Sequence, residues 1–397
     1  MYNEQLCLSG AGDVIMELNA YAKALSAVHG AENVFNYSIG NPDLRPPRSV
    51  YDAIRAVLEE EDQTAVHGYG PALGLPEVRE AVAAHIRGQF GTPLTAENIY
   101  MVAGSCAGLA IAVRALVKPG DEVILIAPYF TEYPVFIEAA GAKTVSVPAD
   151  PSTFYPDVDA IGRAITPHTK AIILNTPNNP SGAVYPEEIL RKLTDLLKRR
   201  AVVNGRPIYL ISDEPYREIV FTGREQPYLM DLYDDTIVSY SFSKSLSLAG
   251  DRIGYLAFGD KLSFRKEIMA TAVNAGRLLG HTCAPTLFQK ILPRCIGDTA
   301  DLERYRENRD LLAGHLETCG FDIVPPEGTF FLLMKSPVPD AGVFARLAAE
   351  RQRLIMVPTD AFGLPGYVRL AFCVSPDMIR RSLQAFTDLA REYGLTD

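Results

Sequence analysis

The sequence predicts an α/β protein: a large unit on a mostly parallel seven-stranded sheet covered by helices, joined to a smaller α+β unit. Three observations lead there. Short, near-continuous apolar runs alternate with amphipathic segments through the middle of the chain. Beyond about residue 290 that alternation gives way to long charged helical sequence and isolated short strands. Finally, 397 residues exceed what one hydrophobic core usually organises.

Residues 99–102 (IYMV), 122–126 (EVILI), 143–147 (KTVSV), 170–174 (KAIIL), 208–212 (IYLIS), 236–240 (TIVSY) and 253–257 (IGYLA) read as buried strands. Parallel strands covered on both faces lack the polar alternation of a half-exposed strand, which explains their apolar character. Cys106–Val117, Tyr133–Ala140 and Pro186–Arg199 carry helical periodicity between them. Further on, a charged helix is expected over Asp298–Thr318, strands at Thr329–Met334 and Tyr367–Phe372, and a last helix from Pro376 to about Arg391. One helix, Val14–Ala27, precedes the loop Ser38–Asp43. Domain termini often lie close together, so this N-terminal stretch is expected to pack against the C-terminal part. The division that follows is 46–290 for the large unit, and 1–45 with 291–397 for the small one.

Composition narrows the function. The 38 basic and 48 acidic residues leave a formal charge of −10, which argues against non-specific binding to nucleic acid or an anionic membrane. Apolar runs such as Val123–Ala127 fall far short of the ~20 residues of a membrane span. The start, MYNEQLCLSGAGDVIMEL, has no leader character, so a cytoplasmic location is expected. Six scattered cysteines (Cys7, Cys106, Cys283, Cys295, Cys319, Cys373) form no CxxC pair, and the six histidines form no HExxH, so no catalytic metal is expected.

Four segments carry candidate chemistry. Lys244 lies in Ser239–Gly254, just past an apolar strand and among Ser241, Ser243 and Arg252. An amine there can lose its proton, and the hydroxyls and guanidinium suit a phosphate monoester. Asp213 ends the strand at Ile208–Ser212, where open α/β sheets place ligands, and a buried carboxylate there could hold a pyridine nitrogen protonated. Asn175–Gly182 (NTPNNPSG) follows another strand and could offer an amide to a phenolate oxygen. Ala103–Gly108 opens a helix with small residues and free backbone N–H groups. Each also has an ordinary reading: a loop lysine, an N-cap aspartate, an Asn-Pro turn, close helix–strand packing.

Together, and in this order, NNPSG, SDEPY, SFSK and the arginine eight residues beyond the lysine resemble the class I/II aminotransferases, the fold-type I pyridoxal-phosphate family, most nearly its aspartate-aminotransferase-like members. The resemblance runs from SIGNPD at Ser38–Asp43 to YVRLAF at Tyr367–Phe372. It implies pyridoxal 5'-phosphate held as a Schiff base on Lys244, with Asp213 at the ring nitrogen and Tyr216 and Asn179 as donors to the ring oxygen. It further implies Phe130 on the ring face, and a phosphate cup of Ser105, Cys106, Ser241, Ser243 and Arg252. Tyr69 would reach the phosphate of a second subunit, making the active unit a homodimer. Arg369 would grip the substrate α-carboxylate beside Asn179 and Gly40. The implied activity is ping-pong transfer of an amino group between an L-amino acid and a 2-oxo acid, with 2-oxoglutarate as acceptor. The alternatives are a C–S lyase or related elimination enzyme and, more remotely, a cofactor-binding regulator. Where aspartate-specific relatives carry a lysine this chain has Cys106, and Arg277 is the candidate replacement cation.

Overall fold

A computed structural model describes residues 13–396. Residues 1–12, including Cys7 and the start of the expected small unit, lie outside the described residues, as does Asp397.

All seven expected strands form one sheet: β1 (Ile99–Val102), β2 (Glu122–Ala127), β3 (Lys143–Pro148), β4 (Thr169–Asn175), β5 (Tyr209–Asp213), β6 (Thr236–Ser241) and β7 (Gly254–Phe258). Their order is β1-β7-β6-β5-β4-β2-β3. Pairings among β2 to β6 are parallel, whereas β7 runs antiparallel to both its neighbours. Six of the strands are buried almost throughout. The expectation of a buried strand fails at β3, where only Val147 is buried. That strand is the sheet edge, with one neighbour, and its Lys143 and Ser146 meet solvent.

From β1 the chain crosses to β2 and β3 at the far edge, then doubles back through β4, β5 and β6 to β7. Strand order therefore reverses between β2 and β4, and ligand crevices in open α/β sheets lie beyond the carboxyl ends of strands at such a reversal. The register sets Asn175, Asp213 and Ser239 side by side near that end of β4, β5 and β6. Because β7 enters from the same side, Gly254 pairs with both Ser241 and Val102. Arg252, two residues before it, thus joins the strand ends.

Helices Gly104–Leu116, Glu132–Ala139 and Glu187–Asn204 match the expected set, and the last has Glu187 and Glu188 in its first turn and a left-handed Gly205 after its end. The charged helix starts at Glu303 rather than Asp298. Upstream of it the Ala300 N–H donates to the Ser245 carbonyl at 2.7 Å, which ties that segment to the short turn Phe242–Ser245 after β6 instead of extending the charged helix. Helices Arg48–Glu60, Pro76–Phe90, Arg265–Leu278 and Ala341–Gln352 were not anticipated. No helix among the described residues is long and apolar enough to cross a membrane.

A second sheet comprises β8 (Ile323–Val324), β9 (Phe331–Lys335), β10 (Val357–Pro358) and β11 (Tyr367–Ala371), in the order β10-β11-β9-β8. Phe330, Phe344, Phe372 and Phe386 fill its core, which also takes in Tyr216, Ile219 and Phe221 from beyond β5. Early chain joins late chain here. Phe35–Asn36 pairs in parallel with Leu354–Ile355, and Ala22 of the helix Asp13–His29 packs with Val34, Ala349 and Ile355. Ile291, Leu292 and Cys295 pack instead with Val50, Val57 and Ile86.

The closest backbone approach at the site rim is at Gly254, where a Cβ would lie 2.3 Å from the Tyr240 carbonyl oxygen. Gly254→Ala must push β6 and β7 apart, so a loss of roughly 2 kcal/mol or more is expected in denaturant unfolding. A wild-type unfolding midpoint would contradict that packing.

Candidate active site

A cavity of about 230 Å³ opens beyond the carboxyl ends of the strands. Its floor is set by the sheet. Asp213 ends β5 fully buried, with Oδ2 accepting the Tyr133 hydroxyl proton at 2.7 Å and Oδ1 buried with no partner. Burial pushes this carboxyl up to about 7, against the Tyr133 hydrogen bond, and the nearby Glu214 charge adds to the rise. Asn175, its lateral neighbour on β4, donates to the Asp213 carbonyl at 2.9 Å and accepts the Asn179 N–H at 2.7 Å. One side chain thereby fixes the strand end and the NNPSG turn together.

Lys244 rises from a single helical turn, Phe242–Ser245, directly after β6. Its Nζ donates to the Gly40 carbonyl at 2.8 Å and lies 5.1 Å from the centre of the Phe330 ring. Burial lowers its ammonium to about 8; the Cys373 and Cys106 thiols oppose the drop, while Arg252 and Arg369 add to it. Gly40 has no room for a side chain, because a Cβ would lie 2.6 Å from the Phe331 ring.

Donors of the cavity lining converge around the start of the helix Gly104–Leu116. Ser241 Oγ caps the Lys244 turn by accepting the Ser243 N–H, and the two serine hydroxyls lie 2.7 Å apart. Arg252 donates to Ser243 Oγ at 3.3 Å and to the Ala249 and Ala103 carbonyls at 2.8 and 3.2 Å. Its backbone φ of 54° is unusual for a side chain of this size. Gly104 has φ +80°, and a Cβ there would lie 2.3 Å from Arg252 Nη2, so only glycine lets the guanidinium approach the helix start. Ser105 and Cys106 line the same cavity. Burial raises the Cys106 thiol to about 11, so it stays neutral.

Arg369, in the middle of β11, lines the same cavity and is 2% exposed. Its Nη2 donates to the Ser38 carbonyl at 2.7 Å and its Nη1 to Asn179 Oδ1 at 3.2 Å, while Nε is buried without a partner. The guanidinium lies over Phe331, 4.4 Å from the ring centre. Burial lowers it to about 10, so it remains a cation at neutral pH, and no carboxylate of this chain pairs with it among its described partners. Phe130 and Tyr216 complete the walls.

Known proteins resemble this chain over nearly its whole length. A family model described as "Aminotransferase class I and II" matches residues 32–386. The chain therefore belongs to the class I and II aminotransferases.

Such enzymes depend on pyridoxal phosphate, and this one is a pyridoxal-phosphate-dependent aminotransferase. It is 33% identical to the aspartate/prephenate aminotransferase of Thermus thermophilus over 371 residues, 92% of this chain and 93% of that one. Among solved structures, an amino transferase of Eubacterium rectale is 45% identical with a TM-score of 0.93, covering 96% of each chain. The aspartate aminotransferase of Thermus thermophilus with maleate is 31% identical with a TM-score of 0.84, covering 95% of this chain and 96% of that one. The predicted fold class agrees with these neighbours.

Of the site residues singled out in the aminotransferase sequence, all but Tyr69 and Arg277 line the cavity. Tyr69 is 91% exposed on a loop held by the Thr286 hydroxyl, which donates to the Gly68 carbonyl at 2.8 Å. Arg277 is exposed at the end of its helix and does not line the cavity. Tyr133, Asn175, Phe331 and Ile15 went unrecognised. Asn175 was findable, since it ends a strand and opens the quoted NTPNNPSG segment; Tyr133 meets Asp213 across 80 residues of chain, with no local signal. Among the described residues no group of three or more His, Cys, Asp or Glu side chains could hold a metal ion.

The raised Asp213 carboxyl has a consequence for the cofactor-free protein. Between about pH 4 and about pH 7 the folded chain holds a proton that the unfolded chain has released, so this group's contribution to stability is full below pH 4 and is lost as pH rises to 7. Asp213→Asn removes that dependence. The melting temperature of the wild-type apoprotein should fall relative to the variant across this window; a difference independent of pH would refute the assignment.

Proposed function

We propose that this aminotransferase runs two half-reactions at the cavity, releasing a 2-oxo acid from an L-amino acid before a second 2-oxo acid, 2-oxoglutarate, enters. The carrying observation is that two residues lining one cavity each keep a buried polar atom without a partner. Asp213 Oδ1 lacks a donor and Arg369 Nε lacks an acceptor. The cofactor fits this donor set: its ring nitrogen would give Asp213 its missing donor, and its phosphate would take Ser241, Ser243, Arg252 and the free N–H groups of Ser105 and Cys106. Asn179 and Tyr216 would serve the ring oxygen and Phe130 the ring face. When bound, pyridoxal phosphate supplies a carbonyl carbon that condenses with amines and a ring that stores an electron pair.

The chain's own groups do the rest. Arg369 and Asn179 orient the substrate through its α-carboxylate, with Gly40 beside them, where only a glycine fits against the Phe331 ring. Lys244 would hold the cofactor covalently and, once free, would take the proton from the Cα of the amino acid in the first half-reaction and deliver one to the Cα of the 2-oxo acid in the second. An amine titrating near 8 suits that task, because it exchanges a proton readily near neutral pH. Asp213 holds its positive partner in place and is ionised by it. The maleate named with the Thermus thermophilus structure supports a dicarboxylic acid such as 2-oxoglutarate as one substrate. The two-unit division at residues 46–290 belongs to this reading, with the cavity at the junction. So does a cytoplasmic location, since the five described cysteines are free thiols, as suits a reducing compartment.

Borohydride reduction of the holoenzyme should fix the cofactor on the peptide containing Lys244 and on no other, and Lys244→Ala should lose activity by roughly a thousandfold or more. A panel of amino acids with 2-oxoglutarate should yield glutamate. Pyruvate and ammonia released without an acceptor would favour the lyase reading instead.

The proposal includes a homodimer in which Tyr69 serves the partner's site. Exposed Tyr69, Tyr51 and Leu58 support it as apolar surface available for burial. Mixing inactive Tyr69→Ala and Lys244→Ala subunits should restore activity to about a quarter of wild type, because one site of each mixed dimer is intact. Mixtures no better than their components would exclude this arrangement.

A further inference from the structure

The machinery above leaves unused a buried polar chain behind the Lys244 turn. Side chains alternate along β6, so Ser239 and Ser241 face the helix Gly104–Leu116, where Ser239 Oγ donates to the Ser105 carbonyl at 3.2 Å, and Tyr240 points to the opposite face. There the Tyr240 ring stacks on Tyr255, with centres 5.1 Å apart, and meets Phe242 edge-on. Its hydroxyl lies 2.7 Å from Glu218 Oε1 and 2.9 Å from Ser245 Oγ. A tyrosine has one O–H to give. With Glu218 ionised the proton points at the carboxylate and Ser245 donates to the tyrosine, giving a continuous chain from Ser245 through Tyr240 to Glu218.

Ser245 is the last residue of the four-residue turn that carries Lys244, and its carbonyl also accepts the Ala300 N–H. One helical turn has little stability of its own, so its geometry is set by what holds its two ends. The Ser241 cap holds the first end, within the cavity. The second end is held by Ser245, from outside it.

We propose that Glu218 and Tyr240 are positioning residues for Lys244: through Ser245 they clamp the far end of the turn and so fix where the amine sits. The proposal rests on Lys244 being the cofactor-bearing amine. It extends the site to two residues that touch neither cavity nor substrate. Glu214, Arg217 and Tyr255 are the charged or titratable groups that face Glu218 besides Tyr240, and Tyr216, Cys106, Cys373, Arg252 and Arg369 are those that face Lys244.

The test uses the apoprotein as well as the holoenzyme. Reductive methylation with formaldehyde and cyanoborohydride, followed by mass spectrometry of the Lys244 peptide, gives the pH midpoint of that amine's reactivity. Tyr240→Phe, Ser245→Ala and Glu218→Leu each cut the chain, letting the amine reach water; the midpoint should rise by about one pH unit. In the holoenzyme kcat should fall by roughly tenfold with KM within about twofold, as for a misplaced base rather than weakened binding. Glu218→Gln keeps an acceptor for Tyr240 and should restore the wild-type midpoint. Midpoints unchanged in Tyr240→Phe and Ser245→Ala, whatever their melting temperatures, would overturn the proposal, as would Gln and Leu at position 218 behaving alike. If wild-type borohydride reduction failed to place the cofactor on Lys244, the reading of the active site itself would fall, a separate result.

Discussion

Desolvation is the constraint on which this molecule's chemistry depends. A carboxyl and an amine are kept from water in one cavity, and burial is the largest influence on both, raising one and lowering the other. Neither shift can arise on an exposed surface. The parallel sheet supplies the dryness, because strands covered on both faces end in a rim enclosed by helices and loops. Asp213 is buried because β5 is central, and Lys244 is buried because β6 lies beside it.

That arrangement works against the stability of the empty protein. An unpartnered buried oxygen on Asp213 and an unpartnered buried nitrogen on Arg369 each carry a desolvation penalty that nothing in this chain offsets. The scaffold tolerates them because its cores are extensive and because neighbouring groups are satisfied. Asn175 uses both ends of its amide, and Glu214 is held by Ser212 and Arg217. Polar groups at the rim thus fall into two kinds, those that bind one another and those left waiting for a ligand.

Much of this was legible in the sequence, for definite reasons. The strands of the large sheet stood out because strands covered on both faces are apolar nearly throughout, and Asp213, Lys244 and Asn179 stood out because polar residues end or directly follow such runs. The edge position of β3 was not legible, since its central Val145 and Val147 read like the interior strands although its other residues are polar. Tyr133 and Phe331 could not be assigned from spacing, because their roles come from contacts between distant segments. Glu218 and Tyr240 were hidden differently: within SDEPYRE and VSYSFSK they are ordinary residues flanking better-known ones, and only the opposite face of β6 gives them a partner.

Arg369 is held by groups contributed from residue 38, residue 179 and its own strand near the C-terminus. During synthesis on a ribosome the whole seven-stranded sheet, with Asp213, Lys244 and Arg252 in it, emerges more than a hundred residues before that arginine does. Its guanidinium is therefore the last of the cavity-lining groups to be placed, and the cavity cannot close on that side until the late strand has met the segment around residue 38.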